Sequence, residues 1–196
     1  MAQETCVTTI QLLRDCFKHL EYQNLLWSST QVLAFLVSMD IFIDTQIAAF
    51  SDIDALVELH AGFRDSLKRS TPTAEEFRRA LNVLLDAPDV RMFLALVDCQ
   101  PVGYAAQRYV YSTWAVGHEA LLDDLYVKSE FRGHGIGRRL VEHAIRDAAA
   151  YGCRAMHLDT NEHNAASNAL YARLGFTCER PRWNGGRQIR YDLKLS

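Results

Sequence analysis

The sequence predicts a mixed α/β fold, a central sheet with helices on both faces. Three observations carry that expectation. Short apolar, alternating runs suit half-buried strands, two segments open with helix-capping patterns, and Leu122–Leu140 reads as a strand, a glycine-rich turn and a helix. At 196 residues the chain has the length for one domain with a sizeable core.

Ile41 to Ala49 alternates as a first strand. Ser51 with Asp54 opens a helix reaching about Lys68, burying Ile53, Leu56, Val57, Leu59 and Phe63. Thr73 and Glu76 form a second capping box, for a helix ending near Leu85 ahead of Pro88. Arg91 to Val97 and Pro101 to Tyr111 make a hairpin about Asp98 to Gln100, with a bulge at Gly103. The strand of Leu121, Leu122, Leu125 and Val127 follows, with Asp123 and Asp124 set into it. Gly135 to Tyr151 is the longest helix, stopped by Gly152. Ala155 to Asp159 is a short strand, and a helix lies between Asn164 and Phe176. Phe176 to Arg180 and Gln188 to Leu195 close the sheet around a loop with Trp183, Gly185 and Gly186.

Upstream, Cys6, Ile10, Leu13, Phe17 and Leu20 recur at helical spacing. Leu25 to Ile43 is apolar enough to raise a membrane question. Ser28, Ser29, Thr30, Gln31, Ser38 and Asp40 interrupt it, however, and no signal-peptide flanks frame it. A buried helix running into the first strand is expected, so residues 1–40 are set apart as a helical N-terminal extension to a domain at 41–196.

A net charge of −3 and the lack of a basic run argue against nucleic acid as a partner. Cys6, Cys16, Cys99, Cys153 and Cys178 are odd in number and scattered without a CxxC pair. Reduced thiols in a cytoplasmic protein are expected. The seven histidines lack metal-ligand spacing, so no metal is expected.

Between Arg132 and Arg138 the chain reads RGHGIGR, with almost no side-chain bulk at three alternate positions. Such a turn at a helix N-terminus aims backbone N–H groups and the positive end of the dipole at one point, a place for phosphate. No Gly-Lys-Ser/Thr follows, which argues against a nucleoside triphosphatase. The G-x-G-x-G spacing, late in the chain and with Arg154 where an acid would be wanted, departs from the dinucleotide fingerprint. Arg-x-x-Gly-x-Gly, read at Arg132, Gly135 and Gly137, resembles the acyl-coenzyme A pyrophosphate loop of the GNAT N-acetyltransferases. A second signature of that family is matched downstream by Asn164, Leu170, Tyr171, Gly175 and Phe176, in the right order and one helix and one strand later. The resemblance covers roughly Ile41 to Leu195. It implies the GNAT fold, a mixed, mostly antiparallel central sheet, with acetyl-CoA as co-substrate.

The resemblance also assigns tasks. Backbone groups of Leu125, Tyr126 and Val127 would pair with the pantetheine arm like an added strand, with the Leu125 N–H polarising the thioester carbonyl. Gly133, His134, Gly135, Ile136, Gly137 and Arg138 would cradle the pyrophosphate, and Arg132 would support the turn or a phosphate. Asn164 would bond the cofactor or fix the gap between two splayed strands. Tyr171 is the expected general acid, since a phenol with an ordinary pKa near 10 stays protonated at neutral pH. Successive strand residues point to opposite faces, so Asp123 and Asp124 are not expected to form a dyad. Asp123 is expected to be the base acting through water, and Asp124 an amine-attracting or structural carboxylate.

Tyr111–Trp114, the acidic pair before Leu-Tyr-Val, and Trp183 with Arg187 resemble most the diamine and polyamine (spermidine/spermine-type) branch, thialysine-acting relatives included. A small primary amine, such as a diamine or polyamine, is therefore the expected acceptor, with Trp114 offering a cation–π contact. An amino acid, an aminoglycoside or a protein amine is the alternative, as is a non-catalytic acyl-CoA-sensing module. Similarity further implies a homodimer, and no membrane partner is expected.

Overall fold

The computed structural model describes residues 43–178. The expected helices ahead of Ile43, and Trp183, Arg187 and the strand Gln188–Leu195, lie outside the described residues. Two units are defined, one ending at Asp159 and the other starting at Thr160.

In the first unit, five strands lie side by side in the order β1 (Ile43–Ile47), β2 (Val90–Val97), β3 (Gln100–Ser112), β4 (Gly117–Val127) and β5 (Ala155–Leu158). Neighbours are antiparallel except β4 and β5, which run parallel. A parallel pair needs a crossover, and helix α3 (Ile136–Tyr151) supplies it. Helices α1 (Ile53–Ser66) and α2 (Ala74–Asp86) sit between β1 and β2 in the chain. The family fold expected from the sequence is the one observed.

Strand alternation divides the core into two faces. Met92, Leu94, Tyr104 and Ala106 cluster with Leu56, Val57 and Leu59 of α1 and Leu81 of α2. Phe93, between two of them, meets the His143 ring of α3 at 4.9 Å, so α3 covers the opposite face. Ile136, Leu140, Val141 and Ala144 are its buried stripe, spaced for a helix with one face in the core.

Helix entries are set by short polar side chains. The α2 capping box is present as expected. The Thr73 N–H donates to Glu76 Oε2 at 2.7 Å, and the Glu76 N–H donates to Thr73 Oγ1 at 3.3 Å. Thr73→Ala should lower the unfolding free energy by ~1 kcal/mol. Urea denaturation checks this; unchanged stability would mean packing alone holds α2. At α1 the expected cap moves. A 3₁₀ turn, Phe50–Asp52, precedes the helix, and the Asp52 carboxylate accepts the Ala49 N–H at 2.9 Å. Asp54 instead pairs with Arg78 of α2.

The β2–β3 hairpin turns on two residues, Asp98 and Cys99, both left-handed (φ 48° and 64°), which is tighter than the expected turn. Ala95 faces Gly103 while Leu96 faces Pro101, so Val102 is the extra residue of a bulge beside Gly103. A Cβ at Gly103 would stand 2.7 Å from the Tyr126 carbonyl oxygen, so glycine is what lets β3 and β4 approach there. Cys99 is disulfide-bonded, contrary to the expectation of reduced thiols, whereas Cys153 and Cys178 are free. Phe176–Cys178, expected to begin a strand, are not in one.

Candidate active site

Strand β4 changes character halfway along. Its pairing with β5 runs from Glu119 with Ala155 to Leu122 with Leu158 and then ends. Beyond Leu122, β4 has a strand partner only on its β3 side among the described residues. Among the described residues, the edge at Asp123–Val127 is thus left without a strand, and an extended chain added there would hydrogen-bond to it as a strand does. Leu125, Tyr126 and Val127, expected to hold a pantetheine arm, lie on this stretch.

The sheet is irregular at the same place. Ala106 pairs with Asp124 and Gln107 with Leu122, leaving Asp123 unpaired as the extra residue of a β-bulge. The bulge defeats the expected alternation. Asp123 and Asp124 both line one cavity of about 480 Å³ between the sheet and helices α1 and α2, rather than opposite faces. Phe77, Ala80, Leu81, Leu84, Val90 and Met92 form its apolar wall, with His60 and Arg108 beside the carboxylates.

The two carboxylates differ in surroundings. Arg108 holds Asp123 with two parallel bonds, Nε to Oδ2 at 2.5 Å and Nη2 to Oδ1 at 2.6 Å. This engages both oxygens of the residue expected to act as base. Asp124 is less exposed and accepts from the Tyr104 hydroxyl at 3.3 Å. Burial pushes its carboxyl above the usual range; nearby His60 and the Tyr104 hydrogen bond pull the other way. No cationic partner reaches Asp124 among the described residues.

His60 stacks on Tyr104, with ring centres 4.0 Å apart. Its Nδ1 lies 2.7 Å from the Leu56 carbonyl oxygen, which places the proton of the neutral ring on Nδ1 and a lone pair on Nε2. Burial lowers its pKa, against the opposing pull of the Leu56 hydrogen bond and of Asp124. His60, Tyr104 and Arg108 are the site residues that sequence reasoning missed. For His60 a signal existed: it falls four residues after Leu56 and three before Phe63, on the apolar stripe of α1.

Trp114 is not part of the cavity. It is 97% exposed in the turn between β3 and β4.

The glycine-rich turn has the expected form. After a 3₁₀ turn at Ser129–Phe131, Gly133 and Gly135 are left-handed (φ 84° and 80°), and α3 begins at Ile136. Among the described residues, nothing lies within 4 Å of where a Cβ would stand on either glycine, so it is the left-handed backbone and not crowding that calls for glycine there. Arg139 donates to the Gly135 carbonyl at 3.1 Å; the N–H groups in the turn ahead of it have no intrahelical acceptor by geometry. The residues present fit a pyrophosphate held by Gly133–Arg138 main chain. Arg132 supports the turn: its Nε donates to the Val127 carbonyl at 2.9 Å, tying turn to strand. Arg138 pairs with Glu142, and His134 Nδ1 lies 3.3 Å from the Phe131 carbonyl, so both side chains have partners on the protein.

In the second unit, Asn164 caps α4 (Ala165–Arg173), accepting the Ser167 N–H at 3.3 Å, a local task not foreseen for it. The Leu-Tyr-x-x-x-Gly-Phe pattern turns out to be a helix stop. Gly175 is left-handed (φ 88°), its N–H donates to the Ala172 carbonyl at 3.1 Å, and the Phe176 N–H returns to the Tyr171 carbonyl at 3.0 Å. That is a Schellman motif, with the Tyr171 and Phe176 rings packed at 5.7 Å as its apolar contact. Tyr171 is thereby fixed and buried, and burial raises its phenol above the ordinary value.

Residues 54–176 match the Acetyltransferase (GNAT) family, and the chain belongs to it. A thialysine N-epsilon-acetyltransferase of Sus scrofa is 38% identical over 74 residues, which cover 38% of this chain and 43% of that protein. A [ribosomal protein bS18]-alanine N-acetyltransferase of Escherichia coli strain K12 is 38% identical over 64 residues, 33% of this chain and 43% of that protein. The chain thus spans about two fifths of these curated relatives, 43% in each case. In fold it is similar to an aminoglycoside acetyltransferase from an uncultured soil metagenomic sample, solved with sisomicin. That likeness has a TM-score of 0.63 at 19% identity, covering 80% of this chain and 100% of the other. Among the described residues, no helix is long and apolar enough to cross a membrane, and no group of three or more His, Cys, Asp or Glu could hold a metal.

Proposed function

We propose that this chain is an acetyl-CoA-dependent N-acetyltransferase that moves an acetyl group onto a small primary amine by direct attack in a ternary complex. One observation carries the reading. Within Leu122–Ile136 a strand loses its neighbour among the described residues, turns two carboxylates into a cavity, and runs into a glycine turn at a helix start. A thioester carrier lying along that edge has its diphosphate at the turn and its acyl end by the cavity.

Bound acetyl-CoA supplies the activated acetyl group; the chain does the rest. Main-chain groups of Leu125, Tyr126 and Val127 align the carrier, and the Leu125 N–H stabilises the carbonyl oxygen as it gains charge. Asp124 takes the amine's proton, directly or through one water, a role moved to it from Asp123 because Arg108 engages Asp123. The amine nitrogen then bonds to the carbonyl carbon, the carbon–sulfur bond breaks, and the thiolate leaves with a proton. Tyr171, assigned by its motif, donates to the developing thiolate. Its raised phenol pKa makes it a strong holder of that proton, so its part is a hydrogen bond to growing charge with transfer late in the step.

Calorimetric titration with CoA, followed by a thiol-release assay over an amine panel, tests the proposal. Binding followed by amine-dependent thiol release is expected. Binding without release on any amine would instead make the protein an acyl-CoA-sensing module, and no binding would end the reading. Tyr171→Phe should lower turnover by ~10-fold or more with the amine saturating. Unchanged turnover would remove Tyr171 from the mechanism.

A further inference from the structure

An ammonium carries three N–H donors, and each must find an acceptor when it leaves water. Asp124 already gives Oδ2 to the Tyr104 hydroxyl, so an amine seated there needs an acceptor beyond this carboxylate. That need rests on the acetyl-transfer reading above. The cavity offers His60.

His60 is only 8% exposed, yet it lines the cavity. Its Nδ1 is turned to the Leu56 carbonyl of its own helix, so Nε2, across the ring, points away from that backbone. Among the described residues nothing bonds Nε2, and it is not sealed in either. The side-chain atom that is both fully buried and unpartnered there is Gln107 Oε1. Gln107 adjoins the cavity, but its Nε2 donates to the Tyr109 hydroxyl, which bonds Asp147 of α3, so that amide belongs to the α3 face of the sheet. Glu76 and Thr71 line the cavity from α2 and the segment ahead of it.

Tyr104 sets His60 and Asp124 side by side. Its ring stacks on His60 at 4.0 Å and its hydroxyl reaches Asp124 at 3.3 Å. The two are near enough that each shifts the other's titration. A nitrogen between them donates one N–H to each. A hydroxyl group, with one donor hydrogen, satisfies only one of the two.

We propose that His60 is an acceptor-binding residue whose Nε2 receives a second N–H of the amine while Asp124 receives the first, so that the site selects nitrogen over oxygen. Kinetics at saturating acetyl-CoA and about pH 8, where an ordinary imidazole is uncharged, test it with putrescine, 2-phenylethylamine, lysine and kanamycin. His60→Phe keeps a flat ring against Tyr104 and removes both nitrogens. For each of these amines that the wild type acetylates, kcat/KM should fall by about tenfold or more, with calorimetric CoA affinity unchanged. His60→Gln, which restores an amide oxygen near the Nε2 position, should stay within about threefold of wild type. Equal losses in the two variants, or none in His60→Phe, overturn the assignment while leaving acetyl transfer standing. Histidine ¹⁵N NMR gives a reading on the wild type itself. With CoA bound, adding the amine acetylated fastest should shift the unprotonated Nε2 resonance that the His60 variants lack, and an unmoved resonance overturns the assignment. If CoA binds and none of the four amines is acetylated, this inference falls; if no amine of any kind is, the acetyl-transfer reading falls with it.

Discussion

Replacing Asp124 by Asn should lower kcat/KM for the amine by ~10²–10⁴-fold, the range for removing a positioned acid–base group. Asn keeps an oxygen for the Tyr104 hydroxyl, so the loss reads the proton-accepting charge rather than the packing. Asp123→Asn should cost less than about tenfold, because that carboxylate is engaged by Arg108. Comparable losses in the two variants would return the base to Asp123. The pH profile gives a second check. Asp124 must be ionised to accept a proton, and burial raises its pKa, so activity should rise with pH through a limb above the ordinary carboxylate range. In Asp124→Asn that limb should vanish.

The same shift fixes the sign of an effect on stability. A carboxyl whose pKa is higher folded than unfolded holds more protons in the native state between the two values. Its charged form therefore opposes folding, and this loss sets in as pH rises from the unfolded pKa through the folded one. Asp124→Asn should melt at a higher temperature than wild type at neutral pH while being less active. A lower melting temperature would show that Asp124 serves as a structural hydrogen-bond acceptor.

The second large effect belongs to the glycine turn. Gly135→Val should weaken CoA binding by about tenfold or more, since a left-handed L-residue costs roughly 1–2 kcal/mol and β-branching makes the strain worse. The space around a new Cβ is empty, so a clash is not the cause. Gly135→Asn, near Val in size but tolerant of that backbone, should keep most of the affinity. Calorimetric titration separates them. Equal losses would show that any side chain obstructs the ligand, and equal affinities would remove the turn from the binding site.

What the sequence made legible is what local chemistry decides. The Thr73/Glu76 cap, the stop at Gly152 and the glycine turn before Ile136 each depend on residues within a few positions, and each stands where expected. The carboxylates were misread for a non-local reason. Alternation along β4 is a safe guide only while β3 pairs one residue for one, and the extra residue is visible only once Ala106 and Gln107 are set against Asp124 and Leu122. Arg108 reaches Asp123 from across that irregularity, fifteen positions away. That Trp114 stands outside the cavity was not legible, because an aromatic block beside an acidic strand says nothing about which end of a long hairpin carries it. Tyr171 sits in a pattern whose spacing has a purely structural explanation as a helix stop, so the motif marks the fold and the acid proposal must be tested separately.

The irregularity at Asp123 has a consequence for how this protein can change. On one side of it Leu121 and Leu122, and on the other Asp124, Leu125 and Tyr126, keep the facing that an uninterrupted ladder would assign them. Excising the single codon for Asp123 would therefore leave every remaining side chain of the strand on its present face, with one acid gone and Arg108 released into solvent. The strand thus carries a removable one-residue insert at its cavity, open to revision by lineage or by design without re-registering the sheet around it.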